Sequence, residues 1–183
     1  MKRTYGALVL TPRANHPFNF GRRVAQRAGY PLEQLSKVPA ETVEAFAGIS
    51  CLPCFAEIEP ASRVLDLGCG AGLDSVLVSP LAGSVLGLDF SEEMLGVARK
   101  TAGSLGCTNV QFALGDAESI PAETASIDVA MVNGIFNLNP ERSAIFAELA
   151  RVIRPGGLLF VAELVLRGPL PEGVAGSETD WFA

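Results

Sequence analysis

The sequence predicts an α/β protein built on a doubly wound parallel sheet, and three observations carry that expectation. Five short runs rich in aliphatic and β-branched residues alternate with helical patterns between residues 63 and 163. The first run ends in Gly68-Cys69-Gly70-Ala71-Gly72, a glycine turn between a strand and a helix. Of the 183 residues, 49% are hydrophobic and 19% charged, which suits one domain with a buried core.

The elements follow in chain order. Residues 1–20, rich in Pro and Asn, show no period and read as an extended arm or lid. A short helix is expected over 21–29, with Gly29 as its C-cap. Two more are expected over 31–38 and 40–47, broken by Pro39. Strand one covers 63–67, and a helix over 73–79 ends at Pro80. Strand two covers 84–88. Ser91 then caps a helix that carries Glu92 and Glu93 in its positive first turn and closes at Gly106. Strands three and four cover 110–114 and 127–132. Asn139-Pro140 reads as N-cap and first residue of the next helix, whose stripe is Ile145, Phe146, Leu149, Val152 and Ile153. Arg154-Pro155-Gly156-Gly157 stops it, and strand five covers 158–163. Residues 1–60 are expected to form an arm and helical cap, and residues 61–183 the core. In such sheets the ligand crevice lies beyond the strand carboxyl ends, at the topological switch point beside strand one.

The net charge of -6 argues against nucleic acid as the main partner, because phosphate binding needs a basic face. A local basic group (Arg13, Arg22, Arg23, Arg27) reads as a solvated helix face. No apolar run reaches the roughly 20 residues that span a bilayer, and no secretory signal is apparent, so no membrane partner and a cytoplasmic location are expected. Cys51, Cys54, Cys69 and Cys107 are then expected as reduced thiols.

The glycine turn narrows the ligand. A dinucleotide fingerprint needs a last glycine where this chain has Leu73, and the spacing here is G-x-G-x-G. This loop, with Asp66 before it, resembles motif I of class I S-adenosylmethionine-dependent methyltransferases, a Rossmann-like fold. The resemblance implies that Gly68, Cys69, Gly70 and Gly72 shape a bed for the methionine part and ribose, with Cys69 read equally as a small filler. Asp89 ends strand two, 17 positions after Gly72, where a carboxylate accepts from both ribose hydroxyls; a helix-entry acid is the plainer reading. Asp116, with Ala117, sits where that family contacts the adenine amino group, or is a turn aspartate. Phe90 and Met94 pack on the adenine or belong to the core. Asn133 is expected at the methionine end, and Asn137 is either a polar group for cofactor or acceptor or simply loop.

From Gly29 to Glu172 the chain resembles the arsenite methyltransferase branch. Gly29-Tyr30, Val38-Pro39, Asp74, Glu93-Met94-Leu95, Asn133, Asn137-Leu138 and Arg154-Pro155-Gly156-Gly157 carry that likeness, which adds Asp74 to the cofactor residues. That branch holds arsenic with thiolates, one of them in the loop after strand four, where this chain has Gly134 and Phe136. Cys51 and Cys54 are the remaining candidates for a soft metal centre, and no resident metal is expected. The cofactor implied is S-adenosylmethionine, with S-adenosylhomocysteine as product. The reaction implied is in-line methyl transfer to a small-molecule acceptor, with positioning supplying most of the catalysis. No general base stands out; Asn133, Asn137 and His16 are the catalytic candidates.

Class I enzymes usually add two strands after strand five, and about 20 residues follow residue 163. The expectation is a sheet lacking those strands, with an open edge that favours a homodimer. Three other readings stand beside the main one: an arsenite methyltransferase with altered thiol ligands, a non-catalytic binding protein on the same scaffold, and a nicotinamide-dependent oxidoreductase, which Leu73 opposes.

Overall fold

The computed structural model describes residues 19–165 and Gly168. Five strands, β1 (Arg63–Leu67), β2 (Ser84–Asp89), β3 (Val110–Leu114), β4 (Ile127–Asn133) and β5 (Ile153–Ala162), form one sheet in the order β3-β2-β1-β4-β5. All four pairings are parallel. The order reverses at β1, so the crevice between the ends of β1 and β4 is the switch point.

Alternation along β1 divides the core. Leu65 and Leu67 face one side, packed with Ala130, Val132 and the inner stripe Ile145, Leu149 and Val152 of α6 (Arg142–Val152). Val64 faces the other, with Val85, Val129, Met131 and Val78 of α4 (Leu73–Val78). The long helix α5 (Glu92–Leu105) covers that second face; the Ser91 hydroxyl accepts from Met94 N–H, and Gly106 closes the helix in the left-handed region, as expected.

Before β1, three short helices form a cap: α1 (Arg22–Arg27), α2 (Leu32–Lys37) and α3 (Ala40–Glu44). Ala25, Tyr30, Leu35 and Val43 pack with Leu73 and Val76 of α4 and Ala102 of α5. A buried hydroxyl pair, Thr42–Thr101 at 2.6 Å, joins α3 to α5.

Helix α1 is shorter than the expected 21–29 and α3 ends at Glu44 rather than 47, and two further boundaries differ in the sheet half. Helix α6 starts at Arg142 rather than Pro140, because the Asn139 side chain accepts from Glu141 N–H at 2.8 Å in a turn of its own. Strand β5 starts at Ile153, which is therefore no part of the helical stripe. Ile153 pairs with Ile127, the Pro155–Gly157 segment bulges, and pairing resumes at Leu158 with Val129. A Cβ on Gly157 would lie 2.9 Å from Asp128 O, so the bulge relies on a close backbone approach.

Loop 115–126 is tied down by one ion pair. Arg151 donates to both Glu148 oxygens and to Ile120 O and Ala122 O, and Glu148 accepts from Ile120 N–H. The hydrogen bonds from Arg151 hold the Glu148 carboxyl near 2, below its ordinary 4.5. A depressed acid contributes stability above its unfolded value and loses it as pH falls through the folded one. Arg151→Ala is therefore expected to lower the urea midpoint at pH 7. The gap to the parent should shrink below pH 4.5 and by pH 2 fall to the part that Arg151 contributes through Ile120 O and Ala122 O, which does not titrate.

Among the described residues no helix is long and apolar enough to cross a membrane.

Candidate functional site

At the carboxyl ends of the strands the chain encloses a cavity of about 350 Å³. Its floor is the turn after β1. Gly68 N–H and Cys69 N–H both donate to Leu88 O, at 2.8 and 3.0 Å, so the end of β2 holds the turn in place. Gly68 has φ +77°, and a Cβ there would lie 2.5 Å from Ile135. Gly70 has φ +52° and nothing within 4 Å of its virtual Cβ, so its bare backbone lines open space.

Asp89, the last residue of β2, is 7% exposed. Its Oδ2 accepts from Gly70 N–H at 2.8 Å and its Oδ1 from Ser91 N–H at 2.9 Å. The carboxylate lines the cavity. Burial raises its affinity for a proton, and the backbone N–H groups of Ser91, Gly70 and Phe90 oppose that. Phe90, Met94, Asp116 and Ala117 line the same wall, with Met94 also packed against Ala71 and Val97. The Cys69 side chain turns toward β2, where a Cβ on Gly87 would meet its sulfur at 3.0 Å. Burial and the nearby Asp66 and Asp89 push the thiol upward, so it stays neutral.

The opposite wall is a hydrogen-bonded latch. Asp66 accepts from Ser75 Oγ at 2.5 Å and Asp74 accepts from Asn133 Nδ2 at 3.0 Å and from the Tyr30 hydroxyl. Asn133 Oδ1 accepts from Ile49 N–H at 2.8 Å and Ser50 N–H at 3.2 Å, while Nδ2 also donates to Ser50 O at 2.8 Å. One amide at the end of β4 thus joins the cap segment to the first turn of α4. Burial raises both carboxyls, Asp66 further because Asp74 adds to it. Burial, then Asp74, also raises the Tyr30 phenol, which remains a donor.

The structure brings together in this cavity Asp66, Gly68, Cys69, Gly70, Asp74 and Asp89. Phe90, Met94, Asp116, Ala117 and Asn133 join them. Gly72 stands one step back, its virtual Cβ 2.9 Å from Ala98, and serves helix packing. Asn137 is not brought to the cavity. It lies in the turn Phe136–Leu138, donates its backbone N–H to Glu163 and its amide to Leu164 O at 2.6 Å. That turn sends Phe136 into the core and the next side chain toward the end of β5. His16 lies outside the described residues. Cys51 and Cys54 are bonded to each other as a disulfide with Cα atoms 5.5 Å apart, which corrects the expectation of reduced thiols there and removes the pair, in this state, as metal ligands. Among the described residues no group of three or more His, Cys, Asp or Glu is placed to hold a metal.

Sequence reasoning missed the roles of Tyr30, Ser75, Ile49 and Ser50. A tyrosine just after a helix-capping glycine is the one local signal, and it names no partner.

A family model described as a methyltransferase domain matches residues 58–181. An arsenite methyltransferase of Halobacterium salinarum is 33% identical over 153 residues, 82% of this chain and 39% of that protein. An O-methyltransferase of Pyrenophora dematioidea is 34% identical over 141 residues, 73% of this chain and 52% of the relative. A solved arsenic(III) S-adenosylmethionine methyltransferase from Chlamydomonas reinhardtii superposes with TM-score 0.63 at 29% identity, covering 82% of this chain and 52% of that one. The chain thus spans less than two thirds of the length of these relatives.

Proposed function

The chain belongs to the methyltransferase-domain family and lies near its arsenite branch, and from that premise we propose that it transfers a methyl group from S-adenosylmethionine to a small-molecule acceptor. One observation carries the cofactor: the buried Asp89 carboxylate, anchored by Gly70 N–H and Ser91 N–H, lines the cavity beside the bare backbone of Gly70. That acceptor fits a ribose diol lying along the loop. Asp116, in the loop after β3, supports contact with the adenine amino group, with Phe90 and Met94 beside its face. Asp66 and Asp74 support the methionine ammonium, two carboxyls that a cationic ligand would hold ionised.

Electrostatics favours this cofactor over a dinucleotide. The charged residues of the described lining are Asp66, Asp74, Asp89, Asp116, Glu118 and Glu141, with no Lys, Arg or His among them. The first turn of α4, where a pyrophosphate would seek the helix N-terminus, carries Asp74 instead. When bound, the cofactor supplies a sulfonium-activated methyl group. The protein's own residues bind, orient and exclude water: Asp89 orients the ribose, the glycine turn sets the depth, and the Asn133 latch closes the cap. Positioning supports the rate. Asn133 spends its amide on the latch and serves as a positioning residue.

A test is calorimetry with S-adenosylhomocysteine and NAD, followed by labelled methyl transfer to arsenite, thiols, phenols and amines. Homocysteine-nucleoside binding with turnover on one of these supports the reading; NAD binding alone sinks it. Binding without any turnover favours the non-catalytic scaffold. Gly70→Ala is expected to cost about 1 kcal/mol of stability through its positive φ. In calorimetry it should weaken S-adenosylhomocysteine at least tenfold, because the new methyl occupies the bed.

The exposed Leu158, Leu159 and Val161 of β5, which has a neighbour on one side only among the described residues, support a homodimer. A cytoplasmic setting accords with the absence of a membrane-spanning helix among the described residues.

A further inference from the structure

We propose that the Cys51–Cys54 disulfide is a redox-responsive strut for the cap latch, so that access to the cavity follows the oxidation state of this pair. The two cysteines flank Leu52-Pro53 in a short 3-10 turn. Cys51 is fully buried and Cys54 is exposed, so the pair presents one sulfur to a thiol in solution and shields the other. Cys51 N–H donates to Ala28 O at 2.8 Å, which binds the turn to the end of α1. Leu52 is buried against the sheet with Val64 and Val78. The residue before Cys51 is Ser50, whose N–H and C=O are both held by Asn133 and whose C=O also accepts from Tyr30 Oη at 3.2 Å. The covalent bond therefore begins one residue from the contact that closes the cavity.

The exchange balances with a dithiol as co-reactant. A thiolate of the dithiol attacks the exposed Cys54 sulfur, the S–S bond breaks, and Cys51 leaves as a thiolate that takes a proton. The second thiol of the reductant displaces Cys54 from the mixed disulfide. Two protons and two electrons have then passed to the protein, and the reductant is a cyclic disulfide. With the bond open, the turn regains backbone freedom, and Ser50 is held by the latch hydrogen bonds and the contacts of Cys51 N–H and Leu52 without the covalent strut. The consequence for ligand access rests on the cofactor reading above; the change in the latch does not.

The experiment is hydrogen exchange of the whole chain, followed at residues 46–56, after oxidation with diamide or reduction with dithiothreitol. Ile49 and Ser50 amides are expected to exchange roughly tenfold faster in the reduced protein. Cys54→Ala, which alters the exposed sulfur, is expected to show the faster rate in both conditions. S-adenosylhomocysteine should bind several-fold more weakly to the reduced parent, with Cys54→Ala insensitive to either reagent. Equal exchange in the two states of the parent overturns the proposal, as does an unchanged response in Cys54→Ala or alkylation of both thiols after diamide. An exchange difference without S-adenosylhomocysteine binding in either state supports the strut and overturns the cofactor reading.

Discussion

Asp89→Ala is expected to abolish measurable S-adenosylhomocysteine binding, a loss of at least about 100-fold. Two charge-assisted hydrogen bonds to a ribose contribute roughly 1.5–3 kcal/mol each. The substitution also leaves Gly70 N–H and Ser91 N–H without their acceptor, so the turn loses the group that sets its depth. Asp89→Asn separates the effects, since its amide oxygen still accepts one of these bonds while its nitrogen faces a donor. Calorimetry should rank parent, Asn and Ala in falling affinity. The parent also carries a pH signature. Burial raises the Asp89 carboxyl above its ordinary 3.8, and the ribose is best held by the ionised form. Affinity should thus rise with pH above 3.8, and Asp89→Asn should remove the Asp89 share of that rise while the share from the raised Asp66 and Asp74 carboxyls remains. An Asp89→Ala protein that binds like the parent would remove the ribose assignment.

Asn133→Ala is expected to open the cap. The variant strips the acceptor from Ile49 N–H and Ser50 N–H and the donors from Ser50 O and Asp74. Partly buried networks of this kind contribute on the order of 3 kcal/mol. Exchange of the Ile49 and Ser50 amides should accelerate by about 100-fold if the latch is their main protection. S-adenosylhomocysteine affinity should fall at least tenfold through cap opening, although the variant removes no group assigned to the cofactor. Tyr30→Phe deletes one hydroxyl from the same network and keeps the ring against Phe46, so it should show a smaller change in the same direction. Asn133→Asp retains the two acceptor bonds but sets a carboxylate against Asp74. Its latch should hold at low pH, where one of the two carboxyls is protonated, and fail as pH rises. A slow-exchanging cap in Asn133→Ala would show that apolar packing by Leu35 and Val43 closes it instead.

The legible part of this fold is local. Strands one to four and α5 fell where alternation and capping put them, because Val64 to Leu67 and the Ser91 cap act within a few residues. The glycine turn was equally plain, since only glycine takes its positive φ values without strain. The errors came where a tertiary contact outweighed the local signal. Ile153 fits a helical stripe by spacing, yet pairing with Ile127 draws it into β5. Asn137 has a side chain suited to the cavity, but the Phe136–Leu138 turn commits it to Leu164. Cys51 and Cys54 were read from an assumed compartment, and their Cα separation of 5.5 Å permits a bond that composition does not reveal.

The sequence by itself determined the strand–helix alternation, the glycine turn and the acids Asp89, at the end of β2, and Asp116, just after β3. Each of these is specified by residues within one element or one turn. Only the tertiary structure decided how the site is closed. Tyr30 meets Asp74 across 44 positions, and Asn133 meets Ser50 across 83. No periodicity encodes such pairs; they exist because β4 lies beside β1 and the cap folds back over both. Burial there also sets the protonation of Asp66 and Asp74, which a chain in water would leave as ordinary carboxylates.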